Sequence, residues 1–340
     1  MISRVKVEEA VGLTLAHDIT KVVPGGFKGP AFRRGHTIRT EDIAEFLRIG
    51  KDHVFILNLD EGQIHEEEAA LRIARAVTGA GLVQSKPKEG RVNLTTAFAG
   101  LLRINVAALD AINSLGDIII ATAHTDTVCK EGARVAAMRI IPLCIREEKL
   151  ARMEQIAGES QPVISMLPMK LTRIGLVVTG NEVFNGRIKD EFSGVMCQKL
   201  EALGCSIHEH VIVPDDPDTI AQAILTAQAK GCEVILCCSG MSVDPDDLTP
   251  EGIRRSGAEV RFYGVPVISG AMSLYARLGN TQILGVPACT MHAPNTAFDK
   301  LFPIVLTGEE LSFSETRRLG HGGLCLKCGE CTYPHCPFCK

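Results

Sequence analysis

The chain has 340 residues, 46% apolar, 4% aromatic and 22% charged, with a formal net charge of −4 and no tryptophan. That length and apolar content suffice for two domains with buried cores. Scarce aromatic rings argue against a stacking platform for single-stranded nucleic acid, and the net negative charge argues against a general nucleic-acid footprint. The opening Met-Ile-Ser-Arg-Val-Lys-Val-Glu-Glu has no apolar core of signal-peptide length. The most apolar windows, such as Ile118–Ala123, are too short to cross a bilayer. A soluble, cytoplasmic protein without a membrane partner is therefore expected, and its 13 cysteines imply thiols or metal ligands rather than a disulfide framework.

Residues 1–157 read as a mixed α/β domain. Val7–Gly12 suggests a short helix and Thr14–Ile19 a strand. Thr40 followed by Ile43 and Leu47 suggests a capped amphipathic helix ending before Gly50, and Val54–Leu57 a strand. Glu66–Val77 carries Ala70, Leu71, Ile73, Ala74 and Val77 at helical spacing, with Glu66 to Glu68 as a solvated start that suits the helix dipole. Residues 90–146 read as a β-rich part. There Asp117–Ala123 and Val135–Ile145 flank a polar turn at Lys130-Glu131-Gly132, as in a hairpin. His124, Asp126 and Cys129 fall between these segments; an ordinary loop is the simpler reading and a metal site the rarer one. Gly158, Ser160, Pro162 and Pro168 mark residues 158–170 as a linker.

Residues 171–310 alternate strand and helix. Strands are predicted at Ile174–Val178, Ser206–Val213, Val234–Cys238 and near 259–263 and 282–286. Helices are predicted near 191–203, at Pro217–Ala229, from about Thr249 and near 291–303. This alternation predicts an α/β fold with a doubly wound, mostly parallel sheet. Such sheets bind ligands at the carboxyl ends of their strands. The first strand exits into Thr179-Gly180-Asn181-Glu182, which offers hydrogen bonds, a close backbone approach and a charge. The third exits into Ser239-Gly240-Met241-Ser242-Val243-Asp244-Pro245-Asp246-Asp247-Leu248-Thr249. Its serines and backbone amides suit a phosphate or polar heterocycle. Three aspartates within four positions call for screening by water or a hard cation such as Mg²⁺. The simpler alternative makes Asp247 the N-cap of a helix with Pro250 in its first turn. The chain lacks both Gly-x-Gly-x-x-Gly and the P-loop pattern, which disfavours dinucleotide and P-loop sites. Cys237 and Cys238 read as small apolar residues at a buried strand end rather than a redox pair.

Thr179-Gly180-Asn181-Glu182, Gly186 and Asp190, then Val213-Pro214-Asp215-Asp216, then Ser239 to Ser242 through Asp247-Leu248-Thr249, resemble in order and spacing the molybdopterin-binding domain. That domain is shared by molybdopterin adenylyltransferases, molybdopterin molybdotransferases and gephyrin, and the resemblance covers about residues 171–307. Glu9-Ala10-Val11-Gly12, Leu15 to Ile19, Arg34-Gly35, Asp42-Ile43 and Gly50 are similar to the N-terminal region of the molybdotransferases. The resemblance implies a role in molybdenum cofactor assembly, with molybdopterin, its adenylate or the molybdenum-loaded cofactor lying along the sheet edge. Asp247 becomes the catalytic candidate, and Thr179, Gly180, Asn181, Glu182, Asp190, Ser239, Gly240, Ser242, Asp244 and Thr249 the cofactor-binding set. It also implies a homodimer and, for a carrier, a recipient molybdoenzyme. This sequence departs from the family pattern at several points. Ser239 and Asp244 replace glycines, and Phe192 an asparagine. Ser269-Gly270-Ala271-Met272 stands where molybdotransferases often carry Pro-Gly-Lys-Pro, and Pro287-Ala288-Cys289-Thr290 where they carry Pro-Gly-Asn-Pro. The missing lysine removes a charge that would help hold molybdate or phosphate, so binding is better supported than turnover.

Residues 311–340 form a cysteine-rich tail. Cys325, Cys328, Cys331, Cys336 and Cys339 fall within fifteen residues, a strong metal pattern. Cys325-x₂-Cys328 with Cys336-x₂-Cys339 suits tetrahedral Zn²⁺. Cys325-x₂-Cys328-x₂-Cys331, then Cys336-Pro337, approaches an iron–sulfur run with one extra residue before the last cysteine. Zinc is slightly favoured, and His335 is a possible substitute ligand. Arg317, Arg318, His321 and their neighbouring glycines read as a flexible basic lead-in.

Overall fold

A computed structural model describes residues 3–22, 28–56 and 61–340. The chain forms two compact units, residues 1–98, 103–123 and 130–166 in the first and residues 99–102, 124–129 and 167–340 in the second. Among the described residues no helix is long and apolar enough to cross a membrane.

In the first unit the strand Ser3–Lys6 pairs antiparallel with His53–Ile56 over a core that includes Val7, Leu15, Ile38 and Phe46. Leu57, expected to end that strand, lies outside the described residues. The segments expected as a hairpin do pair, with Ala137 opposite Ala121, and the longer strand also pairs with Arg91–Thr96 on its other side. They are not joined by one turn, however. The strand Thr127–Cys129 intervenes and pairs with Leu102, Leu101 and Gly100 in the second unit.

The helix Glu66–Val77 buries Ala69, Ala70, Ile73, Ala74 and Val77, as its spacing requires. Its start is solvated only in part: Glu68 is exposed and Glu67 half-buried, but Glu66 is only 6% exposed. The Gly90 backbone packs on its carboxylate, so closely that a Cβ there would lie 2.1 Å from Oε2. Burial pushes the Glu66 carboxyl above its ordinary range, offset in part by Arg139 at 3.6 Å. The expected linker is also structured. A helix, Glu147–Glu159, buries Leu150, Met153 and Ala157, and a strand, Ile164–Leu167, follows. Arg72 holds Glu147 and Glu154 at 2.7 Å each, tying the two helices together. The glycine and prolines that suggested a linker fall at the end of this helix and beside the strand, where breakers are tolerated.

The second unit holds β1 (Arg173–Thr179), α1 (Asn181–Phe184), α2 (Phe192–Glu201), β2 (Ser206–Val213), α3 (Pro217–Ala229) and β3 (Val234–Cys238). These are followed by α4 (Thr249–Arg255), β4 (Glu259–Tyr263), β5 (Leu274–Leu278), β6 (Thr281–Val286), α5 (Ala297–Leu306) and α6 (Phe313–Arg318). The sheet order is β2-β1-β3-β6-β5-β4. Its first four strands are parallel, and β5 and β4 join antiparallel. The strand β5 is absent from the sequence expectation, and the last helix starts at Ala297 rather than near 291. There Thr296 and Asp299 form a capping box.

Period-two alternation divides the sheet between two apolar layers. Ile174, Leu176, Val178, Leu236 and Cys238 pack with α2 and α5, through Phe192, Met196, Phe298 and Phe302. Val177, Ile235 and Cys237 pack with α3 and α4, through Ile220, Ile224 and Ile253. Both layers depend on β3, whose five residues are all buried. Truncating Leu236 to alanine should therefore cost roughly 2–5 kcal/mol. Chemical denaturation monitored by circular dichroism measures this, and a loss below about 1 kcal/mol would contradict a shared central strand.

Candidate functional site

Register places four strand exits at one level. Thr179 lies opposite Val213, and Cys238 lies opposite both Val178 and Val286. The loops after β1, β2, β3 and β6 therefore share the carboxyl edge. Ser239 N donates to Val286 O at 3.1 Å, fixing the third loop beside the fourth.

The expected Thr179 and Thr249 are both buried, at 2% and 0% exposure. Their hydroxyls bond each other at 2.9 Å, and Thr179 Oγ1 also reaches Cys238 O at 3.4 Å. They support the edge from beneath rather than facing a ligand. Gly240 lies directly on this pair with φ +58°; a Cβ there would meet Thr249 Oγ1 at 2.5 Å and Thr179 Oγ1 at 2.8 Å. Thr249 N closes the contact onto Gly240 O at 3.2 Å.

Asp247 does not cap α4. The cap position is Leu248, which makes no side-chain bond. The Asp247 carboxylate instead turns back into its loop, where Oδ2 accepts Ser242 N at 3.0 Å and Asp244 N at 3.3 Å. It thereby holds the amides of two other expected residues. Ser242 and Asp244 themselves are exposed.

Asn181 and Asp215 lock the first two loops reciprocally. Asn181 N donates to Asp215 Oδ2 at 2.8 Å, and Asp215 N donates to Asn181 Oδ1 at 3.3 Å. Gly180 N adds a bond to Val213 O at 3.2 Å. Burial raises the Asp215 carboxyl above its ordinary range, and the like charges of Glu182, Asp247 and Asp246 raise it further against the Asn181 amide. Carboxylates from the first and third loops thus act on Asp215 in the second. Asp215 was visible in sequence as part of Val213-Pro214-Asp215-Asp216, but its role as the meeting point of the charges was not.

Asp190 has a different local partner set. Oδ1 accepts Ser193 N at 3.1 Å and Oδ2 accepts the Ser193 hydroxyl, fixing the start of α2. Ser193 Oγ bonds His210 Nε2 at 2.8 Å. Its charge still reaches the Cys238 thiol, which lies well above the ordinary range through burial first, then Cys237 and Asp190. Cys237 and Cys238 are both wholly buried, and burial pushes the Cys237 thiol up to about 12, which fits the apolar reading.

The tail is no flexible appendage. Arg317 and Arg318 lie on α6, where Arg317 sits over the Phe313 ring at 5.1 Å and Phe313 stacks on Phe262 at 6.0 Å. Cys339 and Phe338 join the core, with Cys325 and Cys336 packed against it, while Cys328 and Cys331 are exposed. Among the described residues no three His, Cys, Asp or Glu side chains stand close enough to hold a single metal ion. That applies to the thiols, to the acidic edge and to His124, Asp126 and Cys129.

Two changes test this geometry. Gly240→Ala should lower stability by about 1–3 kcal/mol, because the new Cβ meets the threonine pair and takes a left-handed conformation. Asp247→Asn removes one like charge, so the Asp215 carboxyl should titrate lower, as read by carboxyl NMR. With its folded pKa above the unfolded value, Asp215 favours folding in acid, and that contribution fades as pH rises through the folded pKa. An unmoved Asp215 titration in Asp247→Asn would separate the two loops.

The model of a probable molybdopterin binding domain matches residues 175–307, and that of a domain of unknown function matches residues 4–58. A molybdopterin molybdenumtransferase of Synechococcus elongatus is 27% identical over 155 residues, covering 43% of this chain and 37% of that one. A CinA-like protein of Desulfosudis oleivorans is 37% identical over 81 residues, covering 24% and 19% respectively. The chain thus spans less than two fifths of either relative. A solved tungsten cofactor synthesizing protein MoaB from Pyrococcus furiosus is 17% identical, covers 40% of this chain and 91% of its own, and superposes with a TM-score of 0.31. Residues 175–307, where the strand-exit loops and the sequence match coincide, match the model of a probable molybdopterin binding domain.

Proposed function

We propose that the carboxyl edge of the second unit binds molybdopterin or its adenylate and serves molybdenum cofactor assembly. The observation that carries this reading is the convergence of Glu182, Asp215, Asp246 and Asp247 from three strand exits beside exposed Ser242. An anionic pterin phosphate does not approach four carboxylates unaided. Mg²⁺ would screen that repulsion if one or two of these carboxylates, such as Glu182 and Asp247, held it, since the ion keeps most of its waters and needs few protein ligands. Asp215, whose carboxyl is raised by burial, holds its proton more readily than an ordinary carboxylate, and Asp247 orders the loop that would meet the phosphate. Molybdate insertion is the activity this arrangement would support, with molybdate as substrate.

A carrier that holds the cofactor and hands it to a recipient molybdoenzyme is the second reading. It is favoured by Ser269-Gly270-Ala271-Met272, a turn without a cation, where Ser269 O accepts Ala297 N at 2.9 Å and Gly270 packs on Ala297. Titrating the full chain with molybdopterin in the presence of Mg²⁺ should give saturable binding, weakened about tenfold or more in Asp247→Asn, a change on the order of 1.4 kcal/mol. No affinity in the wild type would end the proposal. Molybdate-dependent conversion of the bound pterin favours the enzyme; binding without conversion favours the carrier.

A further inference from the structure

A fifth strand ends at the candidate edge. β4 pairs antiparallel with β5, and β5 antiparallel with β6, so β4 runs parallel to the first four strands of the sheet and exits on the same side. Its last residue is Tyr263. Register sets Tyr263 opposite Leu274, Leu274 opposite Gly285 and Gly285 opposite Cys237, one row across four strands.

Three strand spacings, about 14 Å, separate β4 from β3 along that row, more than a tyrosine side chain spans. The two elements meet because the β3 exit loop leans across the sheet. Met241 is 2% exposed and lies over β6, where Gly285 leaves room for it. A Cβ on Gly285 would stand 2.4 Å from Met241 Cε and 2.8 Å from its Sδ. Met241 packs there in one apolar cluster with Cys237 and Leu274 of the same row. The Tyr263 hydroxyl then donates to Met241 O at 2.5 Å, while the rest of its side chain leaves the residue 37% exposed.

This bond completes the polar anchoring of the loop. At its start Ser239 N donates to Val286 O, and Gly240 O accepts Thr249 N. Further on, Asp247 accepts the Ser242 and Asp244 amides. Asp247 belongs to the loop it holds, so its bonds can move with the loop. The bond from Tyr263 fixes the Met241–Ser242 peptide to the sheet itself. Burial raises the Tyr263 phenol above its ordinary range and the Asp247 charge raises it further, which keeps it a donor. That coupling also sets Tyr263 and Asp247 near one another on this loop.

We infer that Tyr263 is a positioning residue of the candidate edge: from β4 it holds the Met241 carbonyl, so that the next residue, Ser242, faces the pterin phosphate. The identity of the ligand rests on the binding reading above; the positioning of the loop does not.

The test is Tyr263→Phe in the full chain, which removes the hydroxyl and keeps the ring. Without ligand, amides of residues 239–247 should exchange about tenfold faster while the sheet strands keep their wild-type rates. With Mg²⁺ present, molybdopterin affinity should fall about fivefold or more. Tyr333→Phe is the control. It removes a comparable bond, to Asp299 O at 3.2 Å, and should change neither quantity. Wild-type exchange of the loop in Tyr263→Phe would overturn the inference, as would faster exchange spread evenly over the sheet. So would unaltered affinity in a wild type that binds. A wild type without affinity ends the pterin reading instead, and loop exchange alone then decides the positioning. Should Tyr263→Phe not fold, tyrosine NMR of Asp247→Asn decides: the Tyr263 phenol should titrate lower than in wild type, and an unmoved titration would overturn the inference.

Discussion

One hydrogen bond, between the buried hydroxyls of Thr179 and Thr249, braces the candidate edge from beneath. It joins the end of β1 to the start of α4 directly beneath Gly240, and only glycine leaves room there. Thr249 N also donates to Gly240 O at 3.2 Å, which ties the β3 exit loop to this pair. Asp247 then finds the amides of Ser242 and Asp244 rather than its own helix. The same loop brings Asp246 and Asp247 near enough for their charges to raise the Asp215 carboxyl. The edge is therefore built by buried polar pairing first and by charge second, in keeping with the high cost of leaving buried hydroxyls unpaired.

The second unit's architecture was largely legible in its sequence, for local reasons. The helix α3 lies where expected because Asp216 accepts Thr219 N at 2.8 Å and Pro217 opens the first turn. The strands β1 and β3 are short β-branched and apolar runs bounded by turns, the pattern of strands buried on both faces. Leu274–Leu278 escaped because tyrosine and arginine interrupt its apolar run, and only pairing with β6 makes it a strand. Glu66 escaped because a run of three glutamates reads as solvated until Gly90 closes over the first of them.

The strand-exit loops of the candidate site were placed from sequence, but which of their residues lie beneath the edge and which lie outside was not. Nothing local distinguishes Thr179 and Thr249, which lie underneath, from Ser242 and Asp244, which lie outside. The reciprocal bonds between Asn181 and Asp215 join residues 34 positions apart, so that partnership is a tertiary fact. The terminal thiols show the same limit. Spacing left two sets of four, while the fold buries Cys339 with Phe338 and leaves Cys328 and Cys331 exposed, a split that no local pattern announces.

The central claim is that an anionic pterin is held where the exits of β1, β2 and β3 meet. Hydrogen–deuterium exchange on the full chain, with and without molybdopterin and Mg²⁺, reads this directly. The account predicts new protection confined to residues 179–190, 213–216 and 239–249. Protection elsewhere with these loops unchanged, or no protection at saturating pterin, would contradict it.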